Sequence, residues 1–167
     1  MISNSNICWV VTDGKPGMEN QALGLAEALG LKTDIKRIHL KSPWRQLSPY
    51  FRWGLKHCLS NKSDLLAPPW PDYVVASGRQ SIAPSLYIKE QSQGKTKTIY
   101  IQKPGISLKN FDIIVAPKHD SLTGPNVIQT YAALHRVTPE RCREEKGKFS
   151  QFGNYPSPRI AVLIGGG

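Results

Sequence analysis

Ile7-Cys8-Trp9-Val10-Val11-Thr12-Asp13-Gly14-Lys15-Pro16-Gly17-Met18-Glu19-Asn20-Gln21-Ala22-Leu23-Gly24-Leu25-Ala26-Glu27-Ala28-Leu29 decides how the rest of the chain is read. It opens on a continuous apolar run that ends in a hydroxyl, the pattern of a strand buried on both faces. A glycine-bearing loop follows. From Asn20 to Leu29, the residues Ala22, Leu25, Ala26 and Leu29 then share one helical face. A buried strand that turns through glycines into an amphipathic helix is the opening unit of a parallel α/β sheet.

The same alternation runs outward. Lys32 to His39 reads as a second strand nearer an edge, Tyr73-Val74-Val75-Ala76 as a third, and Ser81 to Gln91 as a helix. Strands follow at Thr98–Ile101 and Asp112–Ala116, with a short one at Val127–Gln129. Thr138-Pro139-Glu140 has the hydroxyl, proline and acid of a helix start, and that helix runs to about Lys146. Arg159 to Ile164 reads as a last strand, stopping at Gly165-Gly166-Gly167. The fold expected is α/β: a doubly wound, mostly parallel, Rossmann-like sheet. Residues 1–146 form its domain and 147–158 a Gly/Pro/Ser/Asn-bearing linker. Residues 159–167 begin a further domain, so a longer protein is expected.

The chain has 167 residues, the size of one ordinary domain, with 40% hydrophobic and 20% charged residues. That is enough apolar content for a core. Its formal charge of +10 favours anionic partners: phosphates, acidic headgroups or nucleic acid. No nucleic-acid-binding motif supports the last, and the positives are spread over several loops. No apolar stretch is long enough to span a bilayer, and residues 1–6 lack the features of a secretory signal. A cytoplasmic chain is expected, peripheral to a membrane at most. Cys8, Cys58 and Cys142 are odd in number and far apart, so neither a disulfide framework nor a zinc site is encoded, and Cys8 reads as a buried thiol.

Ligands of open parallel sheets bind beyond the carboxyl ends of the strands. The residues placed there are small, cationic or amide: Asp13-Gly14-Lys15 with Gly17, Asn20 and Gln21; Ser77-Gly78-Arg79; Gln102-Lys103; and Pro117-Lys118-His119-Asp120. Asn126, in a turn, is expected to face the same cleft. The loop after the first strand is not a GxGxxG fingerprint, and no acid closes the second strand to grip a ribose. Gly94-Lys95-Thr96 lacks the glycine five residues earlier that a P-loop needs. Each loop alone also reads as an ordinary turn, and an arginine such as Arg79 as a solvated side chain. His119 and Asp120 are candidates for proton transfer, but neighbours in an extended segment point apart, so one of them acting alone is expected.

Residues 41–59 interleave aromatics with cations. Ser48-Pro49 reads as a helix start. Trp44, Arg45, Arg52, Trp53 and Lys56 read either as an interfacial contact with an anionic membrane or as the solvated face of a helix docked on the sheet.

The blocks Trp9–Gly30, Val75–Arg79, Pro117–Asp120, Gly124–Val127, Ala133–Thr138 and Ile160–Gly166 resemble the mitochondrial fission ELM1 family. That resemblance implies the GT-B glycosyltransferase architecture, two Rossmann-like halves facing a cleft, with this chain as the N-terminal, acceptor-side half. It implies sugar transfer from a nucleotide sugar to a membrane or envelope acceptor. Asp13, His119 or Asp120 would then serve as base, and Lys15, Arg79 and Lys103 would neutralise phosphate. No metal and no resident cofactor are expected, the nucleotide sugar being a co-substrate. The family's plant members imply the alternative, a non-enzymatic membrane-surface adaptor.

Overall fold

The computed structural model describes residues 6–50 and 55–162, with Leu55 and Lys56 described in backbone only. In chain order the strands are β1 (Ile7–Thr12), β2 (Lys32–Arg37), β3 (Tyr73–Ser77), β4 (Lys97–Ile101), β5 (Ile113–Pro117) and β6 (Val127–Thr130). The helices are α1 (Pro16–Ala28), α2 (Trp44–Leu47), α3 (Leu55–Cys58), α4 (Ile82–Gln91) and α5 (Pro139–Lys146). All six strands lie parallel in one sheet of order β2-β1-β3-β4-β5-β6. The sheet is the Rossmann-like α/β architecture that the alternation predicts.

The period of two along each strand sorts the core into two layers. Trp9, Val11, Val74, Ala76, Tyr100 and Ile114 point to one face and pack with Ile82 and Ile88 of α4. Cys8, Val10, Val75, Ile99, Ile101 and Val115 point to the other and pack with Ala22, Leu23 and Ala26 of α1. Cys8 is fully buried, and that burial pushes its thiol up to about 12, so it is a packing residue.

Three local readings are corrected by the backbone. Helix α1 starts at Pro16, not Asn20, because proline's fixed φ suits the first helical position and Glu19 lies in the first turn. Gly17, Asn20 and Gln21 are therefore helical. Ser48 closes α2 instead of opening a helix. Residues 159–162 are not in a strand, and 163–167 lie outside the described residues.

The chain divides into two compact units, residues 1–136 and 137–167. In the second, Thr138 caps α5 as its sequence predicts, its hydroxyl accepting from the Arg141 N–H at 3.1 Å. Two short 3₁₀ turns follow within Gly147–Asn154, broken by a kink at Phe149 with φ -119° and ψ 43°. Among the described residues no helix is long and apolar enough to cross a membrane.

Two contacts fix the first unit's layers. A Cβ on Gly24 of α1 would meet the His135 carbonyl oxygen at 2.7 Å, so glycine there admits the returning backbone, which Arg136 clamps through Glu27 with an Nε–Oε2 bond of 2.9 Å. At the amino rim, Asp112 accepts from the Thr98 N–H and hydroxyl, both at 2.8 Å, and pairs with Lys89 at 2.9 Å. Partial burial pushes its carboxyl pKa up, but those donors outweigh it and hold the group below its ordinary 3.8.

Gly24→Ala is expected to lower unfolding stability by about 1–3 kcal/mol in urea titrations, because backbone must move to admit the methyl group. Gly17→Ala, with nothing within 4 Å of the added carbon, is expected to be neutral or stabilising by up to about 1 kcal/mol. Equal effects at the two sites would contradict this packing. A depressed carboxyl stabilises above its unfolded pKa and loses that contribution as pH falls towards the folded one. Asp112→Asn should therefore be less stable at neutral pH, and its curve should meet that of the unsubstituted protein in acid. A gap that stays constant down to pH ~3 would remove the carboxylate charge as the cause.

Candidate functional site

The sheet order places a topological switch between β1 and β3. The chain steps from β1 outward to β2, then builds from β3 the other way, which opens a crevice beyond the two carboxyl ends. The crevice is a cleft of about 510 Å³.

Its first wall is the β1–α1 turn. The Thr12 hydroxyl, fully buried, accepts from the Gly14 N–H at 3.1 Å, and Gly14 takes φ +81°, a conformation glycine adopts without strain. The turn swings Asp13 inward until only 6% of its side chain is exposed. The Gln80 amide donates to Asp13 Oδ2 at 3.2 Å, and Lys15 Nζ lies 3.6 Å from the same oxygen.

The second wall is the β3–α4 turn. Gly78 adopts φ +89° and ψ 148°, and Arg79 leads a 3₁₀ turn, Arg79–Ser81, into α4. Ser77 is fully buried beneath it, its hydroxyl donating to Met18 Sδ at 3.2 Å, so it supports the wall and is not itself presented. Beyond β4 come Gln102 and Lys103. Tyr100 of β4 forms part of the floor, stacked on Phe111 with centroids 4.9 Å apart. Burial and the neighbouring Asp13 charge raise its pKa, so its hydroxyl remains a donor.

The third wall comes from the β2–β3 connection. The Ser48 hydroxyl donates to the Arg79 carbonyl at 3.0 Å, which seats Pro49, Tyr50 and Arg45 against the cleft. Lys15, Arg45, Arg79 and Lys103 thus face a single carboxylate, Asp13. Among the described residues no carboxylate pairs with Arg45, Arg79 or Lys103. This donor set suits an anion, and among the described residues no cluster of three or more His, Cys, Asp or Glu side chains gathers.

His119 and Asp120 line an adjoining hollow of about 340 Å³ with Gln21, and that hollow shares Gln102 and Lys103 with the cleft. They sit in a 3₁₀ turn, not an extended segment, so His119 Nε2 comes to 3.6 Å from Asp120 Oδ1: close, but beyond hydrogen-bond length. Gly17 and Asn20 lie on α1 and line neither space. Asn126 is not brought there either. It precedes β6 and so belongs to the amino rim, where its amide donates to the Leu108 and Phe111 carbonyls, both at 2.9 Å.

Of the aromatic and basic segment, Arg45 joins the cleft, while Trp44 packs against the core cluster of Leu40, Cys58 and Ala83. Arg52, Trp53 and the Lys56 side chain lie outside the described residues. Sequence reasoning missed Tyr100, Gln80, Met18 and Tyr50. Gln80 directly follows Arg79 beyond the end of β3, whereas a tyrosine inside an apolar run reads only as core.

A family model described as mitochondrial fission ELM1 matches residues 16–167. The chain is 29% identical over 116 residues to "Uncharacterized protein RP120" of Rickettsia prowazekii, which covers 67% of this chain and 32% of that protein. It is 21% identical over 231 residues to "Mitochondrial fission protein ELM1" of Arabidopsis thaliana, covering 93% of this chain and 54% of that protein. The chain thus spans between about a third and about a half of the length of these curated relatives. No solved structure matches it.

Gly78→Ala should lower stability by about 1–3 kcal/mol in thermal unfolding, since φ +89° is unfavourable for any residue with a Cβ. An unchanged melting temperature would mean that the wall does not require this backbone.

Proposed function

The chain belongs to the mitochondrial fission ELM1 family, and from that premise we propose that the cleft between β1 and β3 is the acceptor site of a GT-B-like sugar transferase. One observation carries this reading: a nearly buried carboxylate, Asp13, at the base of a cleft with four cations. The cations hold an anionic acceptor and offset charge that builds on the leaving group. Asp13 takes the proton from the acceptor hydroxyl as its oxygen bonds to the anomeric carbon. The bond from that carbon to the phosphate oxygen of a nucleotide sugar breaks, and its electron pair departs with the nucleoside diphosphate. Gln80 keeps the carboxylate turned inward. No resident cofactor takes part.

A second reading, a cytoplasmic adaptor peripheral to an anionic membrane, is favoured by Leu47 and Tyr50, 48% and 75% exposed beside Arg45. The Arabidopsis relative is named a mitochondrial fission protein, which agrees with this reading. The two readings also fit together, since exposed apolar side chains at the rim would admit a membrane-borne acceptor.

Asp13→Asn in the full-length protein should lower nucleotide-sugar hydrolysis or transfer by about 10²–10⁴-fold. Arg79→Ala should weaken inorganic pyrophosphate binding by about 10–100-fold, the loss of one charge-assisted contact. A protein that binds no nucleotide sugar, or an Asp13→Asn variant with full activity, would sink the enzymatic reading. The adaptor reading instead requires sedimentation with anionic but not neutral vesicles, reduced by Tyr50→Ala and unaffected by Asp13→Asn.

A further inference from the structure

The carboxyl rim of the sheet holds two hollows with a common wall. Gln102 and Lys103 line both the cleft of about 510 Å³ and the hollow of about 340 Å³ beside it. The wall is held in place at some cost. Gln102 takes φ +82°, a left-handed conformation that is strained for a residue with a Cβ. It is kept there by its N–H, which donates to the Val115 carbonyl at 2.8 Å and ties the end of β4 to β5.

The two spaces differ in chemistry. The larger carries four cations against one carboxylate. The smaller has a single permanent cation, Lys103, which it shares, and otherwise presents the Gln21 and Gln102 amides, the Asp120 carboxylate and the His119 ring. That set mixes donors with acceptors in near balance, the inventory that reads hydroxyl groups and not a phosphate. The turn that carries His119 and Asp120 is closed by Ser121 at φ +49°, a second non-glycine residue in the left-handed region on the border of this hollow.

We infer that the hollows are two subsites of one ligand, a phosphorylated polyol. Its phosphate lies among Arg79, Lys15 and Lys103 with one neighbouring hydroxyl left at Asp13, and the rest of its hydroxyl-bearing part lies against His119, Asp120 and Gln21. This rests on the proposed assignment of the cleft to an anionic acceptor and adds the class of molecule and the direction in which it lies. Lys103, common to both spaces, sits where phosphate and polyol join.

Titration of the protein with inorganic phosphate, glucose and glucose 1-phosphate separates the subsites. Calorimetry reads affinity, and the His119 imidazole resonance, assigned through His119→Gln, reads occupancy of the smaller hollow. Glucose 1-phosphate is expected to bind about tenfold tighter than phosphate, the gain of one further hydrogen bond of ordinary strength, and to move the His119 signal, which phosphate leaves in place. Gln21→Ala should bring glucose 1-phosphate down to the affinity of phosphate, while Arg79→Ala weakens both. If both probes bind equally and the His119 signal stays still while Arg79→Ala still weakens them, the second subsite is overturned and the anionic cleft stands. If inorganic phosphate and glucose 1-phosphate both fail to bind, the assignment of the cleft falls and the second subsite falls with it.

Discussion

Both faces of the sheet are packed, and this governs where any chemistry can occur. With alternate residues of β1, β3, β4 and β5 committed to the α1 layer and the α4 layer, the middle of each strand has no exposed face for a polar side chain. Functional groups are driven to the strand ends, and the order β2-β1-β3-β4-β5-β6 decides which ends lie together. The crevice follows from the reversal at β1, where neighbouring connections part and leave the ends of β1 and β3 uncovered. Thr12, Ser77 and Tyr100 mark the boundary. All three are buried; the Thr12 and Ser77 hydroxyls are used in the turns that wall the cleft, and Tyr100 lines its floor.

The two rims of the sheet show what distinguishes a site from a support. At the amino rim, Asp112 meets Lys89 and Thr98, and the Asn126 amide meets two carbonyls, so these polar groups satisfy one another. At the carboxyl rim, charge is left unbalanced. Asp13 has Gln80 and a distant Lys15, while Arg45, Arg79 and Lys103 point into the same space with no carboxylate among the described residues to neutralise them. Like charges brought together repel, and folding gains nothing from gathering them without a counter-ion. The proposed anionic acceptor is what would offset that repulsion.

The strands and the direction of the sheet were legible because an apolar run buried on both faces leaves few other readings, and β1 to β6 fall within a residue or two of where the pattern puts them. The gathering of Asp13, Arg79, Gln102 and Lys103 was legible for the same reason, since each follows a strand. What escaped depended on something besides the pattern. The start of α1 turns on whether Pro16 ends a loop or opens a helix, and the dipeptides Asp13-Gly14 and Pro16-Gly17 suit both. Ser48 before a proline looks like a cap, but its hydroxyl is claimed by the Arg79 carbonyl, 31 positions along the chain. Asn126 was misplaced because it precedes its strand. Tyr100 was hidden because its place near the end of β4, not its identity, decides that it lines the cleft.

The Ser48–Arg79 bond carries the argument one step further. The β2–β3 connection would otherwise be a long excursion joining two strands that are not neighbours in the sheet, and long loops cost little to close but are poorly held. Here Ser48 is 1% exposed and fastens the excursion at the residue whose guanidinium lines the cleft, and Arg79 Nη2 in turn reaches the Arg45 carbonyl at a loose 3.4 Å. The mouth of the cleft, with Tyr50 and Arg45, is thus set by the same residue that faces its interior. The Arg79 carbonyl holds the connection while its side chain faces the cleft, so one residue serves both the anchor of the rim and the lining of the space.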